Sequence, residues 1–140
     1  MDNKSKCGVN MGLEVFGDRW TLLIIRDLAF EGKRSYREFL NSDEKIATNI
    51  LGDRLEMLEK EGIVIKKQDP SHKQKMIYIL TEKGIDLLPI VIAIGDWSLK
   101  YKPVDAEARA RAKEIRSGGE KKLKEIKQQL MKLHKKEIAN

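Results

Sequence analysis

Few residues of this 140-residue chain could do chemistry. They are a single thiol, Cys7, two imidazoles 62 positions apart, His72 and His134, and many carboxylates that read as charged helix faces. There is no Cys-x-x-Cys, no glycine-rich phosphate loop and no pair of histidines at metal-ligand spacing, so an enzyme, a metal and a cofactor are all unexpected. What the residue types do offer is hydrogen bonding to a polyanion. Thr48 and Asn49 sit where a helix should begin, and an Asn side chain there can pair bidentately with an adenine edge; the rival reading is a solvated helix face. Ser35, Tyr36 and Arg37, at the start of the preceding helix, are candidates to hold phosphate and set register. Arg54 is another, because its neighbours three and four residues away (Ile50, Leu51, Met57, Leu58) include no acid; equally, its stem could pack along the apolar stripe. Lys66, Lys67, Lys73 and Lys75 would reach backbone or minor groove, or merely solubilise.

These groups need elements to position them. Ser35 followed by Glu38 forms a capping box that starts a short helix carrying Phe39 and Leu40, and Asn41-Ser42-Asp43 favours a turn. From Ala47 a longer helix places Ile50, Leu51, Leu55 and Leu58 on one stripe and ends near Gly62. Two short runs follow, Ile63 to Lys67 and Met76 to Leu80, read as a hairpin with a long polar tip from Gln68 to Lys75. Helix, turn, helix and basic ribbon is the order of a winged helix. Upstream, Val9, Leu13 and Phe16 share a helical face; Gly17 closes that helix and Asp18 caps the next, Arg19 to Phe30, apolar nearly all round. Downstream, Thr81-Glu82 should cap a second apolar helix, Ile85 to Trp97, kinked at Pro89.

Length suits one domain, and a small core cannot cover two such helices, so a two-fold homodimer is expected. The fold class is α+β, mainly α: a winged helix-turn-helix with dimerisation helices and a C-terminal helical extension. Residues 1–6 should be disordered, 7–104 form the domain, and 105–140 the extension. The net charge of +6 is concentrated late, since residues 117–140 carry +4. Within the domain the ribbon is the basic part, +3 over residues 64–75, whereas the second half of the long helix is acidic. Its N-terminal end must therefore lead into any groove. In the extension, Asp105 to Arg116 is helical by propensity, Ser117-Gly118-Gly119 breaks it, and Leu123, Ile126, Leu130 and Leu133 follow a/d spacing on a Lys-rich helix. That helix could lie on the dimer, extend its interface, attract phosphate or fray. No apolar span or leader pattern is present, so a cytoplasmic protein with no membrane partner is the expectation.

The quoted residues also resemble a known family. Cys7, Gly17-Asp18-Arg19-Trp20-Thr21, Leu55-Glu56-Met57-Leu58-Glu59-Lys60-Glu61-Gly62, Leu80-Thr81-Glu82-Lys83-Gly84 and Leu88-Pro89 with Trp97 look like the HxlR-type transcriptional regulators, over roughly residues 7–101. The resemblance implies a homodimer on a pseudo-palindromic stretch of double-stranded DNA. The outer helices (Val9, Leu13, Phe16, Leu88, Val91, Ile92, Trp97) would build the dimer, and the second helix of the motif would lie in the major groove. It also makes Cys7 a candidate sensor of oxidants or electrophiles, against an inert thiol, and allows a small-molecule effector. Four positions depart from the family pattern: Ala47 replaces a capping Ser, so the helix could start one residue late; Asp53 replaces a Gln and is not expected to contact bases; and Gly8 follows Cys7 where Pro is usual while Asn10 replaces a Glu, which would loosen the start of the first helix. The alternative is a winged-helix module for protein or RNA contact without operator specificity.

Overall fold

The structure, a computed structural model, describes residues 5–139. The expected disorder of residues 1–4 lies outside the described residues. Ser5 itself accepts the Cys7 amide (3.1 Å) and, through its carbonyl, the Asn10 side chain (3.2 Å).

Among the described residues, eight helices and one hairpin follow in chain order: α1 Gly8–Phe16, α2 Arg19–Phe30, α3 Tyr36–Leu40, α4 Thr48–Lys60, β1 Val64–Asp69, β2 His72–Leu80, α5 Glu82–Ile85, α6 Leu88–Tyr101, α7 Ala106–Ser117 and α8 Gly119–Ala139. Chain order and fold class are those expected: a winged helix-turn-helix followed by helices. The core gathers Ile24, Ile25 and Leu28 of α2, Phe39 of α3, Leu51, Leu55 and Leu58 of α4, and Val64 and Leu80 at the base of the wing. The apolar stripe read along α4 is thus what seats the helix, with Ile50 half-buried at its edge.

Helix ends form for local reasons. Asp18 caps α2 by accepting the amides of Trp20 (2.9 Å) and Thr21 (3.0 Å). The capping box on α3 forms as read, Ser35 accepting from the Glu38 amide while Glu38 accepts from the Ser35 amide. At the end of α4, Gly62 adopts φ +73, its amide bonds to the Glu59 carbonyl (3.0 Å) and the Ile63 amide to the Leu58 carbonyl (2.9 Å). This left-handed closure satisfies two end-of-helix carbonyls and turns the chain directly into β1.

Two expectations are corrected. The hairpin has no long polar tip: the strands run on to Asp69 and His72, joined by Pro70-Ser71, with Asp69 accepting the Ser71 amide (3.0 Å) and hydroxyl (2.8 Å). A register shift beyond Gln68 leaves Lys73 to Lys75 bulged on β2. Nor does one kinked helix follow the wing. A Pro at 89 would press on the Ile85 carbonyl, so α5 ends at Ile85 and α6 starts afresh, with Pro89 in its first turn, where an amide would have no helical partner anyway.

Candidate nucleic-acid interface

The reading element is α4, and its N-terminal turn is open. Ala47 still occupies the cap position, though with no side-chain hydrogen bond, so the helix starts at Thr48 directly after it and not one residue late, and Thr48 does not take over the capping role. Thr48 and Asn49 are both exposed on this turn. The first amides of α4 carry the positive end of the helix dipole, while Glu56 and Glu59, also exposed, lie further down.

Three contacts fix how α4 is presented. The Tyr36 hydroxyl donates to the Thr48 carbonyl, tying α3 to the first turn of α4. Gly52 permits that approach, because a Cβ there would stand 3.1 Å from the same hydroxyl. Arg54 donates to Asp53 (2.7 Å) and pairs with the capping carboxylate of Asp18 (3.5 Å), which locks α4 to the α1–α2 junction. The turn between α3 and α4 is held from below. Asp27, 3% exposed, accepts from the Ser42 hydroxyl (2.6 Å) and from Arg26 (2.7 and 3.1 Å), and Arg26 grips Glu44 with two hydrogen bonds (2.8 and 2.9 Å). Those Arg26 hydrogen bonds hold the Glu44 carboxyl at about 2, far below its ordinary value.

The expected phosphate-binding set divides on this geometry. Ser35 is buried, with its hydroxyl committed to Glu38, so it is a cap and not a surface contact. Tyr36 is half-buried and positions α4. Arg37 is exposed. Arg54 does have acids to pair with, one adjacent and one from the α2 cap, so it is a brace and not an open cation. Lys67 is withdrawn too: its ammonium meets the Glu137 carboxylate (3.1 Å) and carbonyl (2.8 Å) at the end of α8. Lys66 lies over the Tyr78 ring, 5.9 Å from its centroid, in a groove of about 900 Å³ between wing, α3 and α4 that also holds Glu56 and Glu59. Lys73 and Lys75 stand exposed on the bulged part of the wing.

Sequence reasoning missed Arg34 and Glu137. Glu137 is 8% exposed and accepts from Arg34 (3.0 Å) as well as Lys67. Burial pushes its carboxyl up, but the Lys67 and Arg34 hydrogen bonds outweigh that and hold it below the ordinary value. Nothing local in a Lys-rich tail marks one Glu as a partner for residues 70 and 103 positions away.

Of the expected dimer residues, Leu88 is fully buried in the subunit's own core and is corrected to a core residue. Val91 and Ile92 face a cavity under α7 and α8. Phe16 is half-buried. Among the described residues the exposed large apolar side chains are Val9 (72%), Met11 and Leu13 on α1, Ile94, Trp97 (56%) and Tyr101 on one face of α6, and Ile138 near the end of α8. Cys7 is exposed at the head of α1; its side chain makes no capping hydrogen bond, yet the Asn10 and Val9 amides beside it draw the thiol below its ordinary value.

An exposed, uncapped helix start seated by a stripe of leucines, with a basic two-stranded wing beside it, defines a winged helix-turn-helix DNA-binding protein of the transcription-regulator class. Comparison with known proteins agrees. The chain belongs to the HxlR-like helix-turn-helix family, whose model matches residues 15–106. The uncharacterized HTH-type transcriptional regulator YdeP of Bacillus subtilis is 31% identical over 101 residues, covering 72% of this chain and 78% of YdeP. Among solved structures, the redox regulator HypR in its oxidized form is 31% identical with TM-score 0.61, covering 70% of this chain and all of HypR. The reduced form of the transcriptional regulator YodB from B. subtilis is 29% identical with TM-score 0.56, covering 72% of this chain and all of YodB. These relatives are regulators and not enzymes. No described helix is long and apolar enough to cross a membrane.

Proposed function

We propose that the protein is a homodimeric, sequence-specific regulator that reads a pseudo-palindromic duplex, with Thr48 and Asn49 at base edges and Arg37, Lys73 and Lys75 on phosphates. The observation that carries this is the exposed first turn of α4, rigidly held by Tyr36 and Arg54, with its carboxylates all further along. The exposed faces of α1 and α6 support a second copy as their cover, since separate patches of large apolar side chains on a small domain are costly to leave in water. In such a dimer the two α4 helices would stand about 34 Å apart, one turn of duplex.

A gel shift of the full chain against its own upstream DNA, with single-stranded RNA as control, tests the reading; sedimentation reports the dimer. Preference for RNA, or no preference among duplexes, would favour the alternative of a contact module without operator specificity. The exposure and lowered thiol of Cys7 also favour a response to oxidants or electrophiles, and HypR is named a redox regulator. Diamide should then weaken or strengthen operator binding by the native protein and leave Cys7→Ser unmoved; equal responses would remove Cys7 from the mechanism.

A further inference from the structure

Two of the walls of one cavity lie beyond the segment that the family model matches. Between α2, α6, α7 and α8 is a space of about 600 Å³, within the roughly 300–1,000 Å³ range of small-molecule sites. Its lining is apolar where the helices face each other: Phe30 from α2, Val91 and Ile92 from α6, Ile115 from α7, Ile126 and Leu130 from α8. Most charged groups on its lining are matched within the chain, and the remaining two, Glu114 and Lys122, are of opposite sign. Arg111 meets Glu31 (3.0 Å), Arg116 meets Asp96 (2.9 Å), and Arg26 is held by Asp27 and Glu44. A charged ligand would have to break one of these pairs or depend on Glu114 or Lys122 alone at the lining, whereas a neutral one would only displace water from apolar surface.

The α8 wall has a second attachment. Leu133, also on the cavity, and Glu137 are four residues apart and so share a face of α8. Glu137 is the buried carboxylate that clasps Arg34, just ahead of α3, and Lys67 of β1. A helix that is rigid over this one turn carries a shift of its cavity wall to the middle of β1 in the wing.

We propose that this cavity binds a neutral, mainly apolar organic molecule and that α8 transmits its occupancy to the wing through Glu137. The second half rests on the DNA-binding reading; the first does not. The whole 140-residue chain is titrated with the neutral fluorophore N-phenyl-1-naphthylamine. Saturable single-site binding is expected, weakened roughly tenfold or more by Ile126→Trp, which fills the space, and unchanged by Ile138→Asn at the exposed end of α8, outside the cavity. Ala112→Phe fills the same space from α7 and serves if Ile126→Trp does not fold. Binding that ignores both filling variants, or that Ile138→Asn abolishes, overturns the site. In gel shifts, a saturating amount of the fluorophore is expected to change operator affinity by about fivefold or more in the native protein and by much less in Glu137→Gln. Saturable binding with no change in operator affinity, or an equal change in Glu137→Gln, overturns the transmission. A native protein that binds the fluorophore but no DNA refutes the DNA reading and leaves the cavity assignment standing.

Discussion

Replacing Asp27 by Ala should unseat the turn that aims the recognition helix. The carboxylate is 3% exposed and accepts three hydrogen bonds, one from Ser42 and two from Arg26, with Lys33 at 3.9 Å completing the charge balance. Breaking a buried, hydrogen-bonded pair by removing one partner costs about 3–5 kcal/mol when the other charge is stranded. Here Arg26 keeps both hydrogen bonds to Glu44, and Lys33 still donates to Ser42 (2.7 Å), so neither cation is stranded outright. The loss is therefore expected at or below the low end of that range, at ~2–3 kcal/mol, because Arg26 keeps its Glu44 partner and the cost is mainly the hydrogen bonds lost and not a stranded charge. At ~4 °C per kcal/mol for a chain of this size, the midpoint should fall by ~10 °C. Far-UV circular dichroism in urea and on heating, at one fixed protein concentration, measures both. The Asp27→Ala, Ser42→Ala double variant should show coupling of ~0.5 kcal/mol or more, because the two side chains touch. A loss under ~1 kcal/mol, the worth of one ordinary hydrogen bond, or strict additivity with Ser42→Ala, would refute this account of the turn.

Other expectations follow from the same geometry. Asn49→Ala should cost ~1–3 kcal/mol in operator binding measured by fluorescence anisotropy, while affinity for unrelated duplex stays nearly constant. Lys73→Ala and Lys75→Ala should each lower the slope of log affinity against log salt by ~0.9, whereas Lys67→Ala should lower it less, since Lys67 already faces Glu137. Acid should weaken the fold through Glu44. Its folded-state value is depressed to about 2, so its contribution is complete above the ordinary glutamate range and is lost as pH falls towards 2. Urea titrations on Glu44→Gln, stepped from neutral pH into that window, should show a smaller decline than the native protein.

Much of this molecule was legible in the residue order because its signals are local. The Ser35 and Glu38 capping box, the Asp18 cap, the glycine closing α4 and the leucine stripe along it each involve residues within a few positions, where helix periodicity and capping chemistry operate. Those features set the element order and brought Thr48 and Asn49 to an open helix start. Pro89 was read with the right physics and the wrong outcome: the clash it creates ended one helix and began another, because α5 and α6 each found burial of their own through Ile85 and Leu88. The wing hairpin was drawn too short for a similar reason, since Lys-rich strands pair through their backbone whatever their side chains.

What residue order alone determined is the winged helix-turn-helix and the end of α4 that can face a polyanion, both consequences of short-range periodicity and capping. Only the folded chain decided which cations remain open. Arg54 met Asp18, Lys67 met Glu137 and Ser35 went inside, because ion pairing and burial depend on distances between residues that the chain brings together from far apart.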